Sequence, residues 1–268
     1  MVLDFSRLHD KHVVVTGASA GIGAATAILF AKAGSNVSLV ARRADKLEQV
    51  RKDAIAAHKE GGTGKGGKIA VYAVDLSSTA GIDELIPKIQ QSGFPPVDIL
   101  VNNAGGVRGR EEVGGVDPKD VDIMLDLNLR SLIHITQVFV REFKARNSGH
   151  IINLGSIAGR EPYSGGSIYC ATKAAVRSFT SSTLKELYNT PIRVSEVQPG
   201  IVETEFSVVR FRGDKEKADA VYKGTVPLVA EDVAEEILWV ASRPPHVVVA
   251  ELFVLPSSQA SASVVHRE

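Results

Sequence analysis

Tyr169 and Lys173 stand one helical turn apart in the stretch SIYCATKAAV, surrounded by small side chains. Helix positions so spaced share a face. A tyrosine hydroxyl ordinarily loses its proton only near pH ~10. A cation one turn away favours the phenolate and lowers that value, so the pair is expected to work as a tuned acid–base group. Ser156 precedes Tyr169 in the chain, and its hydroxyl can bond a carbonyl or alcohol oxygen. Together these residues suit hydride transfer, in which a cofactor carries the hydride and the tyrosine gives or takes the proton. Cys170 is the rival reactive group. It has no histidine beside it, and its helix position points about 100° away from Tyr169, so it reads as a small buried filler.

A second set of residues reads as a dinucleotide site. Thr16 to Gly23 (TGASAGIG) has the spacing Gly-x-x-x-Gly-x-Gly, with Gly17, Gly21 and Gly23 between a short apolar run and an alanine-rich helix. Glycines there allow a tight turn and close approach to a diphosphate at the helix N-terminus. An acid closing the second strand would bind a ribose hydroxyl. Ala41 holds that place, followed by Arg42 and Arg43. Guanidinium groups recognise phosphate through paired charge-assisted bonds, which favours NADP(H) over NAD(H). The stretch GTGKGGK at 62–68 imitates a phosphate loop, but Ile69 replaces the required hydroxyl residue and a strand follows. It reads as a surface loop.

The elements that must position these residues alternate. Strands are expected at 13–15, 36–40, 68–74, 97–101, 150–154, 192–197 and 247–254. Helices are expected at 22–33, 44–60, 79–91, 117–145, 167–189 and 231–242. This order predicts one doubly wound α/β domain over 1–268, with about seven parallel strands and helices on both faces. The cofactor half spans about 1–115 and the catalytic half about 116–268. Ligands of such sheets bind beyond the carboxyl ends of the strands, where Asp75, Asn102, Ser156, Pro199 and Gly200 follow in turn. In the long helix, Asn128 falls on an apolar stripe with Val121, Leu125, Leu132, Ile135 and Phe139. It is either a core amide bonded to backbone or the holder of a water linking Lys173 to solvent.

Composition narrows the classes. The 268 residues carry 31 basic and 31 acidic side chains, so there is no net field for nucleic acid or an acidic membrane. One cysteine excludes an intramolecular disulfide framework, and the seven histidines show no metal-ligand spacing. No uninterrupted apolar run long enough to span a membrane stands out, and the first residues lack a signal-peptide pattern. A cytoplasmic enzyme or binding protein without a metal site is expected.

TGASAGIG, NNAG, Asn128, Ser156, Tyr169-xxx-Lys173 and Pro199-Gly200 together resemble the short-chain dehydrogenase/reductase superfamily, in its classical type. The likeness covers nearly the whole chain. NSGHIINLGSIAGREPYSGGSIYCATK and VETEFSVVRFRGDKEKADAVYKGT further resemble the NADP-dependent 3-hydroxy acid dehydrogenases, also called serine or L-allo-threonine dehydrogenases. The resemblance implies a catalytic tetrad of Asn128, Ser156, Tyr169 and Lys173. It implies cofactor contacts from Gly17, Ser19, Gly21, Ile22, Gly23, Arg42, Arg43, Asp75, Asn102, Tyr169, Lys173, Pro199, Gly200, Val202 and Thr204. It also implies a homotetramer and oxidation at C3 of small 3-hydroxy acids of the serine, L-allo-threonine or 3-hydroxypropionate type.

Two other readings stand beside this one: a broad NADPH-dependent carbonyl reductase of neutral ketones or aldehydes, and a nucleotide sensor without catalysis. The intact tetrad argues against the sensor. A carboxylate-binding cation in the pocket separates the first two. The segment 204–214, which the resemblance lays over the active-site crevice, supplies Arg210 and Arg212. Arg210 is the expected carboxylate clamp, with Phe206, Val208, Val209 and Phe211 excluding water.

Overall fold

The computed structural model describes residues 5–268. Seven strands form one parallel sheet in the order β3-β2-β1-β4-β5-β6-β7. They are β1 His12–Thr16, β2 Asn36–Ala41, β3 Ile69–Ala73, β4 Ile99–Asn102, β5 Gly149–Leu154, β6 Ile192–Pro199 and β7 Glu251–Val254. The two central strands β1 and β4 are fully buried apolar runs, as a sheet covered on both faces demands. One face packs Val13, Val15, Leu39 and Val101 against α1 (Gly21–Lys32) and, at the far end, Val233 and Ile237 of the last helix. The other packs Val14, Leu100, Ile151 and Val194 against Ile135, Phe139 and Phe143. α2 (Ala44–Gly61) follows β2, and strand order reverses between β1 and β4, which opens the ligand crevice.

Several expected elements differ. The helix at 79–91 is two short ones, α3 (Thr79–Asp83) and α4 (Leu85–Gln91), with Pro87 in the first turn of α4, where a missing N–H costs least. The long helix consists of α5 (Pro118–Leu125), a π-helical turn Asp126–Arg130 and α6 (Ser131–Arg146). The wider turn moves the buried line, so Leu125 is exposed and Met124 is buried one turn before Asn128. By length and composition this continuous Pro118–Arg146 helix could cross a membrane, but here its apolar side forms core against the sheet. The last strand is shorter than 247–254, because 247–250 is irregular and only 251–254 pairs with β6.

After α7 (Ser167–Glu186) and β6, the chain makes an excursion that periodicity did not reveal: α8 (Glu205–Arg210) and α9 (Lys215–Ala220). Thr204 and Asp214 cap these helices through their side chains. A bridge between Val202 and Leu228 closes the excursion at its base, before α10 (Ala230–Ser242).

Candidate active site

The carboxyl ends of the strands open into a cavity of about 1010 Å³. Its floor comes from the turns after β1, β4, β5 and β6, and its roof from the 204–222 excursion and the segment Gln259–Arg267. Arg267 fastens that segment to the carbonyls of Lys223 and Val221.

At the β1 end, Gly17 has φ +65° and Gly21 φ +53°, a region that suits glycine. A Cβ on Gly17 would lie 2.8 Å from Asn103 Nδ2 and 2.9 Å from Ala104 Cα. Gly23 is outside the cavity wall. A Cβ there would lie 2.5 Å from Gly17 O, so this glycine lets α1 pack beneath the turn. Thr16 Oγ1 accepts from the N–H groups of Asn103 and Ala104, locking the two turns together. Ser19, Gly21, Ile22, Pro199, Gly200, Val202 and Thr204 all line the cavity. Ala41, buried at the end of β2, puts no carboxylate at that position. Arg42 makes no hydrogen bond or ion pair within the described residues, while Arg43 bonds Ser19 Oγ and, at 3.1 Å, Glu205. A glycine cradle beside two wall guanidiniums fits a dinucleotide bearing an extra phosphate on its adenosine ribose.

Two of the expected cofactor contacts turn elsewhere. The Asn102 side chain is buried and donates to Thr136 Oγ1 and Asn153 Oδ1, tying β4 to α6 and β5. Asn103 takes the place at the cavity. The Asp75 carboxylate accepts from the amide and hydroxyl of Ser77 in its own turn, and Val74 and Leu76 reach the wall instead.

At the β5 end, Ser156, Tyr169 and Lys173 share the cavity. Ser156 caps a short helical turn, its Oγ accepting from Ala158 N. Lys173 Nζ donates to Leu154 O at 2.7 Å and stands 6.0 Å from the centroid of the Tyr169 ring. Burial pushes the Tyr169 hydroxyl above its ordinary range, helped by the neighbouring Tyr163. A hydrogen bond with Ser156 and the Arg210 charge work the other way. The lowering expected from Lys173 is not found: in a site this enclosed, loss of solvent costs the phenolate more than Ser156 and Arg210 return. Burial also brings Lys173 down to about 8, with Glu196 opposing.

Asn128 is 1% exposed and lies just behind the wall. Its Oδ1 accepts from Gly106 N, and its Nδ2 donates to Gly106 O and Thr172 Oγ1. These bonds, to backbone and to the Thr172 side chain alike, pin the turn after β4 to α7 beside Lys173. Cys170 is buried in a small apolar cluster with Val107 and Met124.

The roof separates the two arginines of the 204–214 segment. Arg212 is exposed and paired with Glu111 and Asp120, at 2.7 Å each. Arg210 lines the cavity and donates to Gly109 O, Gly165 O and the Tyr163 hydroxyl. Phe206, Val209 and Phe211 are also in the wall, and Phe206 packs edge-on against Tyr169 at 5.5 Å; Val208 is not in the wall. Sequence reasoning missed Tyr163, Arg108 and Arg110 in this wall. Their only sequence signal is proximity to the strand ends.

A family model described as short chain dehydrogenase matches residues 11–214. The chain belongs to the short-chain dehydrogenase family. An NADP-dependent 3-hydroxy acid dehydrogenase of Schizosaccharomyces pombe is 42% identical over 264 residues, covering 98% of this chain and 99% of the relative. A serine 3-dehydrogenase of Agrobacterium fabrum is 38% identical over 257 residues, covering 96% of this chain and 98% of the relative. Among solved structures, the closed form of serine dehydrogenase complexed with NADP+ superposes with a TM-score of 0.85 at 37% identity, covering 96% of this chain and all of that one.

Proposed function

We propose that this dehydrogenase uses NADP(H) to oxidise, reversibly, the C3 hydroxyl of a small 3-hydroxy acid of the serine, L-allo-threonine or 3-hydroxypropionate class. The observation that carries the substrate class is Arg210, a guanidinium in the cavity wall whose charge is felt at the Tyr169 hydroxyl. A guanidinium in the same wall as the acid–base tyrosine suits a substrate that carries a carboxylate. The relatives named for NADP and for hydroxy acids or serine support the same reading.

The glycine turn and Arg42 and Arg43 would hold the diphosphate and ribose phosphate. When bound, NADP+ accepts the hydride and NADPH returns it. Ser156 bonds the substrate oxygen. Tyr169 takes the alcohol proton in oxidation and donates it in reduction. Lys173 supplies the positive charge that favours the phenolate, and Phe206 and Phe211 keep bulk water from the reacting carbon. The apolar part of the same wall would equally serve a neutral ketone, the basis of a second reading as a carbonyl reductase. The deciding measurement is kcat/KM for a 3-hydroxy acid and for a neutral secondary alcohol, before and after Arg210→Met. A loss confined to the acid supports the clamp. A parallel loss in both assigns Arg210 to holding the loops at Gly109 and Gly165.

A further inference from the structure

The proton chemistry described so far leaves one buried acid unused. Glu196 on β6 is 2% exposed, and its Oε1 has no hydrogen-bond partner. Such a group is costly unless charge nearby compensates it. Tyr169, Lys173 and Arg177 follow one another at single-turn spacing along α7, so they share one face of that helix. The α7 side of the sheet is marked by Asn153 of β5, which donates to Thr180 of α7. Glu196 pairs with Asn153 in register, and Glu251 of β7 pairs with Glu196. Aligned residues of parallel strands face the same way. Two carboxylates therefore lie side by side under Lys173 and Arg177.

The partners of the two acids differ. Glu251 is exposed at the sheet edge, meets Arg177 at 3.4 Å and is bridged by Arg160, which also bonds Gln198. Glu196 has neither arginine. Its carboxyl lies against Gly155, where a Cβ would come within 2.1 Å of Oε1. The residue before Gly155 is Leu154, whose carbonyl receives Lys173 Nζ, and the residue after it is Ser156. The Glu196 carboxylate, with Oε1 left without a hydrogen bond, and the Lys173 ammonium thus bracket one turn of chain.

We propose that Glu196, steadied by the Glu251–Arg177–Arg160 cluster at the sheet edge, is the counter-charge that keeps Lys173 protonated, and so is a positioning residue for the acid–base step. The inference rests on Lys173 acting as read above. Burial drives both groups toward neutrality. Glu196 rises to about 7 through burial, with Gln198 opposing the rise by a hydrogen bond, Glu251 adding to it, and Lys173 and Arg177 opposing it by their charge. Lys173 falls to about 8, with Glu196 opposing the fall. Between those values both are charged and each sustains the other. Tyr169 on α7, and Tyr163 and Arg210 across the cavity, are the other ionisable groups facing this end of the helix.

The test compares kcat against pH for Glu196→Gln, Glu196→Asp and the wild type. The Gln variant should lose its alkaline limb early, its rate relative to wild type falling about tenfold between about pH 6 and about pH 9, as a downward shift of one unit in Lys173 requires. The Asp variant should keep the wild-type shape. A uniform fall at all pH, or superimposable profiles, overturns the proposal. A second measurement needs no turnover: Tm of the cofactor-free protein in a cycle of Glu196→Gln, Lys173→Met and the double variant near neutral pH. Lys173→Met should lower Tm more when Glu196 is present than when Gln replaces it. Additive shifts overturn the coupling. Should Tyr169→Phe retain full activity, it is instead the reading of the active site that fails.

Discussion

At the residue scale, Tyr169 is the proposed site of the substrate proton, and burial works against its ionised form. Tyr169→Phe is expected to lower turnover by roughly 10²- to 10⁴-fold with NADPH binding retained, measured by stopped-assay rates and fluorescence titration. Cys170→Ala, in its apolar cluster, should leave the rate within a few-fold. The opposite pattern would sink the assignment. Arg42→Ala with Arg43→Ala should raise the Michaelis constant for NADPH far more than that for NADH, since only NADPH presents the extra phosphate. Equal effects would remove the phosphate role. That Ser156, Tyr169 and Lys173 would share one cavity was legible from type and spacing. How each one titrates was not: Lys173 beside Tyr169 implied a lowered tyrosine, whereas burial, helped by Tyr163, raises it.

At the element scale, the turns after β1 and β4 behave as one unit, joined by Thr16, Asn103 and the close approach beneath Gly23. Gly23→Ala would place a methyl 2.3 Å from Asn103 Nδ2. NADPH affinity should fall while the helix content seen by circular dichroism stays; unchanged affinity would show that the turn yields. Asn128 does similar work between the β4 turn and α7. Asn128→Ala leaves the amide and carbonyl of Gly106 without their side-chain partner. Its expected cost is about 1–3 kcal/mol for each buried group left unpaired, read from urea unfolding. The helix holding Asn128 was legible from periodicity, but its π turn was not, because the hydrophobic pattern carries through a single wide turn almost unbroken.

At the scale of the whole molecule, the sheet carries two buried imidazoles. His12 bonds Pro95 O and Ser38 Oγ, and burial holds it down at about 4. His150 bonds Ser195 Oγ and is likewise lowered by burial, with Arg193 adding. Both pKa values lie below the unfolded one, so the unfolded chain binds more protons there. Stability is full above about pH 6.5 and is lost as pH falls toward the folded values. For His12 the loss by about pH 4 amounts to about 3 kcal/mol. Glu196 acts with the opposite sign, its contribution fading as pH rises through about 7. Tm measured from about pH 7 to about pH 4 should therefore drop, and His12→Gln should flatten the slope; an unchanged slope would place acid lability elsewhere. A homotetramer is the assembly that the family resemblance implies, and light scattering of the purified protein tests it.

The sequence by itself determined the alternation of strands and helices, the glycine turn, the Tyr169–Lys173 spacing and the arginines after β2. Each of these is a local pattern, set by backbone geometry within a turn or two of chain. The tertiary structure decided what depends on partners distant in sequence. It placed Asn103 rather than Asn102 at the cavity, because β4's last inward side chain is consumed by Thr136 and Asn153. It separated Arg210 in the wall from Arg212, which is neutralised by Glu111 and Asp120. It also set Glu196 opposite Glu251 and beneath Lys173, through a strand register that brings together residues far apart in the chain. Burial and register are properties of the packed sheet, and no run of neighbouring residues encodes them alone.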